Sequence, residues 1–147
     1  MCHFRSGEAL LVDGDLKIVT SKKTDSHTKI REEFGIAEVA GISQREPLHT
    51  PIEFIPVRGL LRKKDYDLVF DAGKPSWWKE EYTERARDEM WTAVKELLDL
   101  KTHAIVTPGS LDLSSVTSLP ANAKLSAGGY LDLSGKTIRI RDGKVVQ

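Results

Sequence analysis

Cysteine is almost absent from this chain. Cys2 stands alone, so no internal disulfide can form, and a reducing compartment is expected. Long apolar runs are absent too. Nothing approaches the roughly 18 consecutive apolar residues that cross a bilayer. The start, Met1-Cys2-His3-Phe4-Arg5, lacks the apolar core of a secretory leader. No membrane partner is expected, and the cytoplasm is the expected location. Net charge is also missing: 22 Lys and Arg cancel 22 Asp and Glu. That removes the broad basic face of a nucleic-acid binder and the acidic face of a DNA mimic, so nucleic acid is not an expected partner. One Cys and 4 scattered His show no zinc-ligand spacing, so no metal is assigned. A Walker loop, Gly-x-Gly-x-x-Gly, His-Glu-x-x-His and a nucleophile elbow are all lacking. No cofactor and no catalytic residue is therefore assigned, and a non-catalytic protein is expected over an enzyme.

What the chain does have is a repeat. Gly109-Ser110-Leu111-Asp112-Leu113-Ser114-Ser115 returns as Gly129-Tyr130-Leu131-Asp132-Leu133-Ser134-Gly135. Ile105, Leu125 and Val145 fall on the same register, as do Lys124 and Lys144. A period of about 20 residues with Leu-x-Leu at its centre is the mark of a solenoid coil. Pro108-Gly109 and Gly128-Gly129 mark the corners. Two coils are too few to stand alone, because each buries its apolar edge only against a neighbour. The expected domains are an α+β unit over residues 1–100 and two leucine-rich-like β coils over 101–147, packed on it. In those coils Leu111, Leu113, Leu131 and Leu133 should be buried.

The α+β expectation comes from the first hundred residues. Ala9-Leu10-Leu11-Val12 and Leu16-Lys17-Ile18-Val19 flank Asp13-Gly14, the signature of a β-hairpin. Asp25 or Ser26 suits an N-cap for a short helix from His27 to Phe34, which Gly35 ends. Residues 36–51 are ambiguous: a strand or a turn fits 36–40, and Pro47, His49 and Pro51 favour loop. Ile52 to Val57 and Tyr66 to Phe70 are strand-like, with Pro56 at an edge or a strand end. Ser76 suits the N-cap of a long helix from Trp77 to Leu98, with Trp78, Tyr82, Ala86, Met90 and Val94 on one stripe. A tight first connection and a helix in last place predict a mainly antiparallel sheet.

The whole then resembles small phage and prophage proteins of unknown function, which join an N-terminal α/β domain to coils of the type Gly-Gly-x-Leu-x-Leu-x-Gly-Thr. Gly128-Gly129-Tyr130-Leu131-Asp132-Leu133-Ser134-Gly135 carries the likeness, supported by Asp25-Ser26-His27, Ile52-Glu53-Phe54-Ile55-Pro56 and Pro75-Ser76-Trp77-Trp78. Relatives of that kind carry many more coils. The resemblance implies a phage source and an architecture, and it brings no activity. A host-cell cytoplasmic or virion location follows from it. So does a function by exclusion: a protein–protein interaction protein acting on a host factor, such as an inhibitor of a bacterial defence system. A virion or assembly component is the alternative.

Each candidate chemical feature has a plainer explanation. Asp25-Ser26-His27 gathers three reactive residue types, but sequence neighbours rarely aim at one another, and capping accounts for them. Glu32-Glu33 and Glu80-Glu81 read as solvated faces. Asp112 and Asp132 could ladder a cation but lack the density of calcium-binding coils. His49 reads as a loop residue with no nameable partner. Trp, Tyr and Arg concentrate interface energy, and binding residues sit on loops. Arg62, Lys63, Trp77 and Tyr130 are therefore the expected partner-binding residues.

Overall fold

The chain is described from a computed structural model over residues 4–36, 48–120, 123–134, 139–141 and 144–146. It is α+β, with two α-helices among the described residues and mostly antiparallel sheets. Strands β1 (Arg5–Val12) and β2 (Asp15–Val19) form the expected hairpin. Asp13 and Gly14 take φ of 50° and 79°, the left-handed pair that a two-residue hairpin loop needs. Strand β3 (His49–Pro56) pairs with the other edge of β1, and β4 (Tyr66–Phe70) pairs with β3. The order is β2-β1-β3-β4, antiparallel throughout.

Strand alternation sorts this sheet into two unlike faces. One carries Ala9, Leu16, Ile52, Phe54 and Tyr66, and it packs under helix α2 (Glu80–Lys95) through Tyr82, Ala86, Met90 and Val94. The rings of Phe54 and Tyr66 stack at 5.0 Å. The other face carries Ser6 and Glu8 of β1, and His49, Pro51 and Glu53 of β3. Asp71 follows β4 and donates its amide to the Pro51 carbonyl at 3.3 Å. Helix α1 (His27–Glu33) packs against β1 on that face, with Ile30 fully buried.

The structure decides some sequence expectations and changes others. Of the two cap candidates Ser26 caps α1, accepting from the Lys29 amide, and Gly35 ends it as expected, at φ 67°. Helix α2 starts at Glu80, and its N-cap is Lys79 rather than Ser76. Trp77 and Trp78 lie in the preceding turn because Trp78 is held by the core: its ring meets Phe70 at 4.8 Å and Tyr82 at 5.7 Å. The helix stops at Lys95, and Leu98 begins the next strand. His49 and Pro51 belong to β3 and not to a loop; the Pro51 nitrogen has no donor, but its carbonyl still bonds to Asp71. Pro56 does close a strand, as expected. Of the ambiguous stretch, 37–47 lies outside the described residues.

Beyond α2 the strands are short: β5 (Leu98–Asp99), β6 (Ala104–Thr107), β7 (Leu111–Asp112), β8 (Lys124–Ala127), β9 (Leu131–Asp132), β10 (Arg139–Arg141) and β11 (Lys144–Val146). The internal repeat reappears as strand register. β6 and β8 run parallel with Ile105 opposite Leu125, and β7 and β9 run parallel with Leu111 opposite Leu131. At the corner the Gly128 amide bonds to the Thr107 carbonyl at 3.0 Å, and Gly129 to that of Gly109 at 3.0 Å. Ile105, Leu111, Leu113, Val116 and Leu119 join the hydrophobic cluster that holds Phe4, Tyr66 and Val94.

Two details depart from the repeat. Leu131 is 41% exposed, since among the described residues β9 pairs with β7 alone, and Leu133 is only partly buried, where both were expected to be buried. β11 pairs antiparallel to β8, so the Lys124–Lys144 match is not a third parallel turn. Asp112 and Asp132 do stand opposite one another, and each accepts from the amide of its own following Ser at 2.9 Å.

The corner is tight. A Cβ on Gly128 would sit 2.3 Å from the Pro108 carbonyl oxygen, a rigid backbone atom. Gly128→Ala is therefore expected to lower the melting temperature by at least ~5 °C, the equivalent of ~2 kcal/mol in a chain this size. An unchanged thermal melt would show that the two corners are not in contact.

Candidate functional site

The face under α1 gathers side chains that sequence order keeps apart. Glu8, on the central strand β1, is fully buried. Its Oε1 receives Arg31 Nη1 at 2.7 Å and lies 3.6 Å from His27 Nδ1. Its Oε2 lies 3.6 Å from His49 Nδ1. On the other side of the imidazole, His27 Nε2 is 2.9 Å from Asp71 Oδ2. Glu53 is buried beside them and accepts from Ser6 Oγ at 3.3 Å.

The local reasons are simple. Glu8, His49 and Glu53 sit at same-face positions of neighbouring strands, since Ser6 is opposite Glu53 and Leu10 opposite His49. His27 and Arg31 are four residues apart on α1 and so share its inner side. Ser26 sets where that helix begins, and so places His27.

Among the described residues, three carboxylates, Glu8, Glu53 and Asp71, gather around Arg31, which pairs with Glu8. Burial alone pushes the His27 imidazole down. The close approach and charge of Glu8, with the charges of Asp71 and Glu53, outweigh burial and leave its pKa raised. Yet neither ring nitrogen of His27 or His49 has a well-directed hydrogen-bond partner among the described residues, and neither has Glu8 Oε2. Such atoms are rare in folded proteins, and a functional role is one of the reasons for them.

A second buried network lies alongside. Arg5 is fully buried, and its Nη1 is 3.9 Å from Asp25 Oδ1. Burial raises the Asp25 carboxyl to about 6, against the pull of Arg5 and the Ser6 and Gly109 amides. Outside it a groove of about 860 Å³ runs between the start of α1 and the first β corner, lined by Lys23, Lys29, Pro108, Ser110 and Tyr130 among others.

The four residues chosen from sequence do not converge. Arg62 bonds to Asp65 at 3.2 Å and lines a separate cleft with Arg58. Lys63 is held by Glu84 at 2.5 Å and Asp88 at 2.6 Å on α2. Trp77 is half-buried against Trp78 and the core. Tyr130 is the most open of them, at 81% exposed, on the rim of the groove. The buried cluster went unpredicted. Its one sequence signal was His-x-Pro-x-Glu over 49–53, interleaved with Thr50 and Ile52, which reads equally well as a solvated strand face.

No family model, no curated protein and no solved structure matches this chain.

Proposed function

We propose that this chain is a non-catalytic interaction protein, phage-encoded and directed at a host factor such as a component of a bacterial defence system. Its contact surface is the groove beneath Tyr130. One observation carries the reading: a large aromatic side chain stands almost fully in solvent at the edge of an 860 Å³ groove with charges of both signs, including Lys23, Lys29, Glu32 and Glu33. Exposed aromatics on a rigid corner supply interface energy at small entropic cost. The 101–147 segment serves in this proposal as a two-coil, solenoid-like extension that fixes the corner. The one-repeat offset of its two parallel ladders supports that role.

Tyr130→Ala is expected to weaken partner capture from infected host cells by ~2 kcal/mol, about 30-fold, with the melting temperature within ~1 °C of wild type. Full capture by the variant would remove the groove from consideration. Mass spectrometry of purified particles separates the host-directed role from a virion component, which would appear there in fixed copy number.

The cluster under α1 favours a second reading, an enzyme. Two imidazoles on either side of a buried carboxylate, with an arginine beside them, are the parts of an acid–base site.

A further inference from the structure

We propose that His27, Glu53 and Asp71 form a binding site for one divalent transition-metal ion of the zinc, cobalt or manganese kind. One ligand atom from each lies within 4.8 Å of the other two. Metal bonds of about 2.0–2.2 Å to nitrogen and oxygen put ligand atoms roughly 3.3–4.4 Å apart. Only small side-chain rotations separate the present spacing from that range, with His27 Nε2 and Asp71 Oδ2 moving apart from 2.9 Å. Imidazole and carboxylate together suit these ions, whereas magnesium and calcium take oxygen alone.

Clustered acids alone would not carry this. The surroundings of the three ligands do. A metal-bound histidine needs a partner for its second nitrogen, most often a carboxylate. His27 turns Nδ1 toward Glu8 Oε1 at 3.6 Å, and Arg31 fixes that same oxygen at 2.7 Å. A ligand carboxylate needs a donor of its own, and Ser6 Oγ supplies one to Glu53 at 3.3 Å. His27 Nε2 is buried and, among the described residues, has no well-directed hydrogen bond although Asp71 Oδ2 is 2.9 Å away, a poor arrangement for a purely structural histidine. Asp71 keeps 30% of its side chain in solvent, which gives an ion its way in, and three protein ligands leave coordination positions open to water.

The test uses the full chain, stripped with a chelator and titrated with Co²⁺ and then Zn²⁺ at pH 7.5. One equivalent of Co²⁺ is expected to produce visible d–d absorption that Zn²⁺ abolishes, and Zn²⁺ should raise the melting temperature by several degrees. Asp71→Asn, at the solvent rim, should weaken binding at least tenfold while the metal-free melt stays as in wild type. His27→Gln should abolish the cobalt spectrum. His103→Gln, remote in sequence from the cluster, should leave binding within threefold. No cobalt spectrum and no Zn²⁺ stabilisation up to millimolar metal would overturn the site. So would binding of equal strength in Asp71→Asn and His27→Gln, because the ligands would then lie elsewhere.

Discussion

A chain lacking residues 102–147 is expected to unfold or aggregate. The deletion removes Ile105, Leu111, Leu113, Val116, Leu119 and Ala123, each less than a tenth exposed and all in one cluster with the sheet and α2. Burying a large apolar side chain contributes about 1.5–3 kcal/mol. Five such side chains are comparable with the whole stability of an ordinary domain, about 5–15 kcal/mol. Polar ties are lost as well. The amides of Thr117 and Ser118 both bond to the Arg58 carbonyl at 3.0 Å, and Asp25 packs against Gly109. Circular dichroism and size-exclusion chromatography of the fragment decide the matter. A monomeric fragment with a cooperative melt would show that the first hundred residues hold their own core.

What the sequence revealed and what it hid divide along a physical line. Local rules were readable. Asp13-Gly14 demanded a positive-φ turn, Asp25 or Ser26 a cap, Gly35 a helix stop, and the structure has the turn, the stop and, of the two caps, Ser26. The offset between Leu111 and Leu131 was readable as well, and it became a strand register. Long-range effects were not readable. The start of α2 slipped from Trp77 to Glu80 because Trp78 gains more from Phe70 and Tyr82 than from a helical turn, a choice made across the sheet. His49 looked like loop because two prolines bracket it, yet β1 recruits it into a strand. Glu8, Glu53 and Asp71 lie far apart in the chain, and their meeting depends on strand order and on α1 covering that face. A polar strand face signals water by default, and the helix over it is what turns ordinary charges into a candidate site.

Arg5→Ala is expected to cost about 3–5 kcal/mol, a drop of roughly 10–20 °C in melting temperature. Arg5 has no exposed surface. Its Nε donates to the Ala93 carbonyl at 3.2 Å, Nη1 to the Ser21 carbonyl, and Nη2 to Glu96 Oε2 at 3.2 Å. Alanine would leave two buried carbonyls short of a donor and Asp25 without its nearby cation. The deficit should also grow with pH. Burial holds the folded-state Asp25 carboxyl at about 6, above its ordinary 3.8, so the native state binds this proton more tightly than the unfolded chain does. The stability linked to that proton is complete below pH ~4 and is lost as pH rises through about 6. Without Arg5 the carboxyl rises further and the loss extends to higher pH, so the variant should fall further below wild type at pH 8 than at pH 5. Arg5→Ala combined with Asp25→Asn should recover at least ~1 kcal/mol of the single-variant loss at pH 8, because it removes the charge left behind. Thermal melts of wild type and the two variants at both pH values read this directly. A deficit under ~3 °C, or one equal at pH 5 and pH 8, would mean that water reaches the Arg5–Asp25 pair and that the network is not buried in solution.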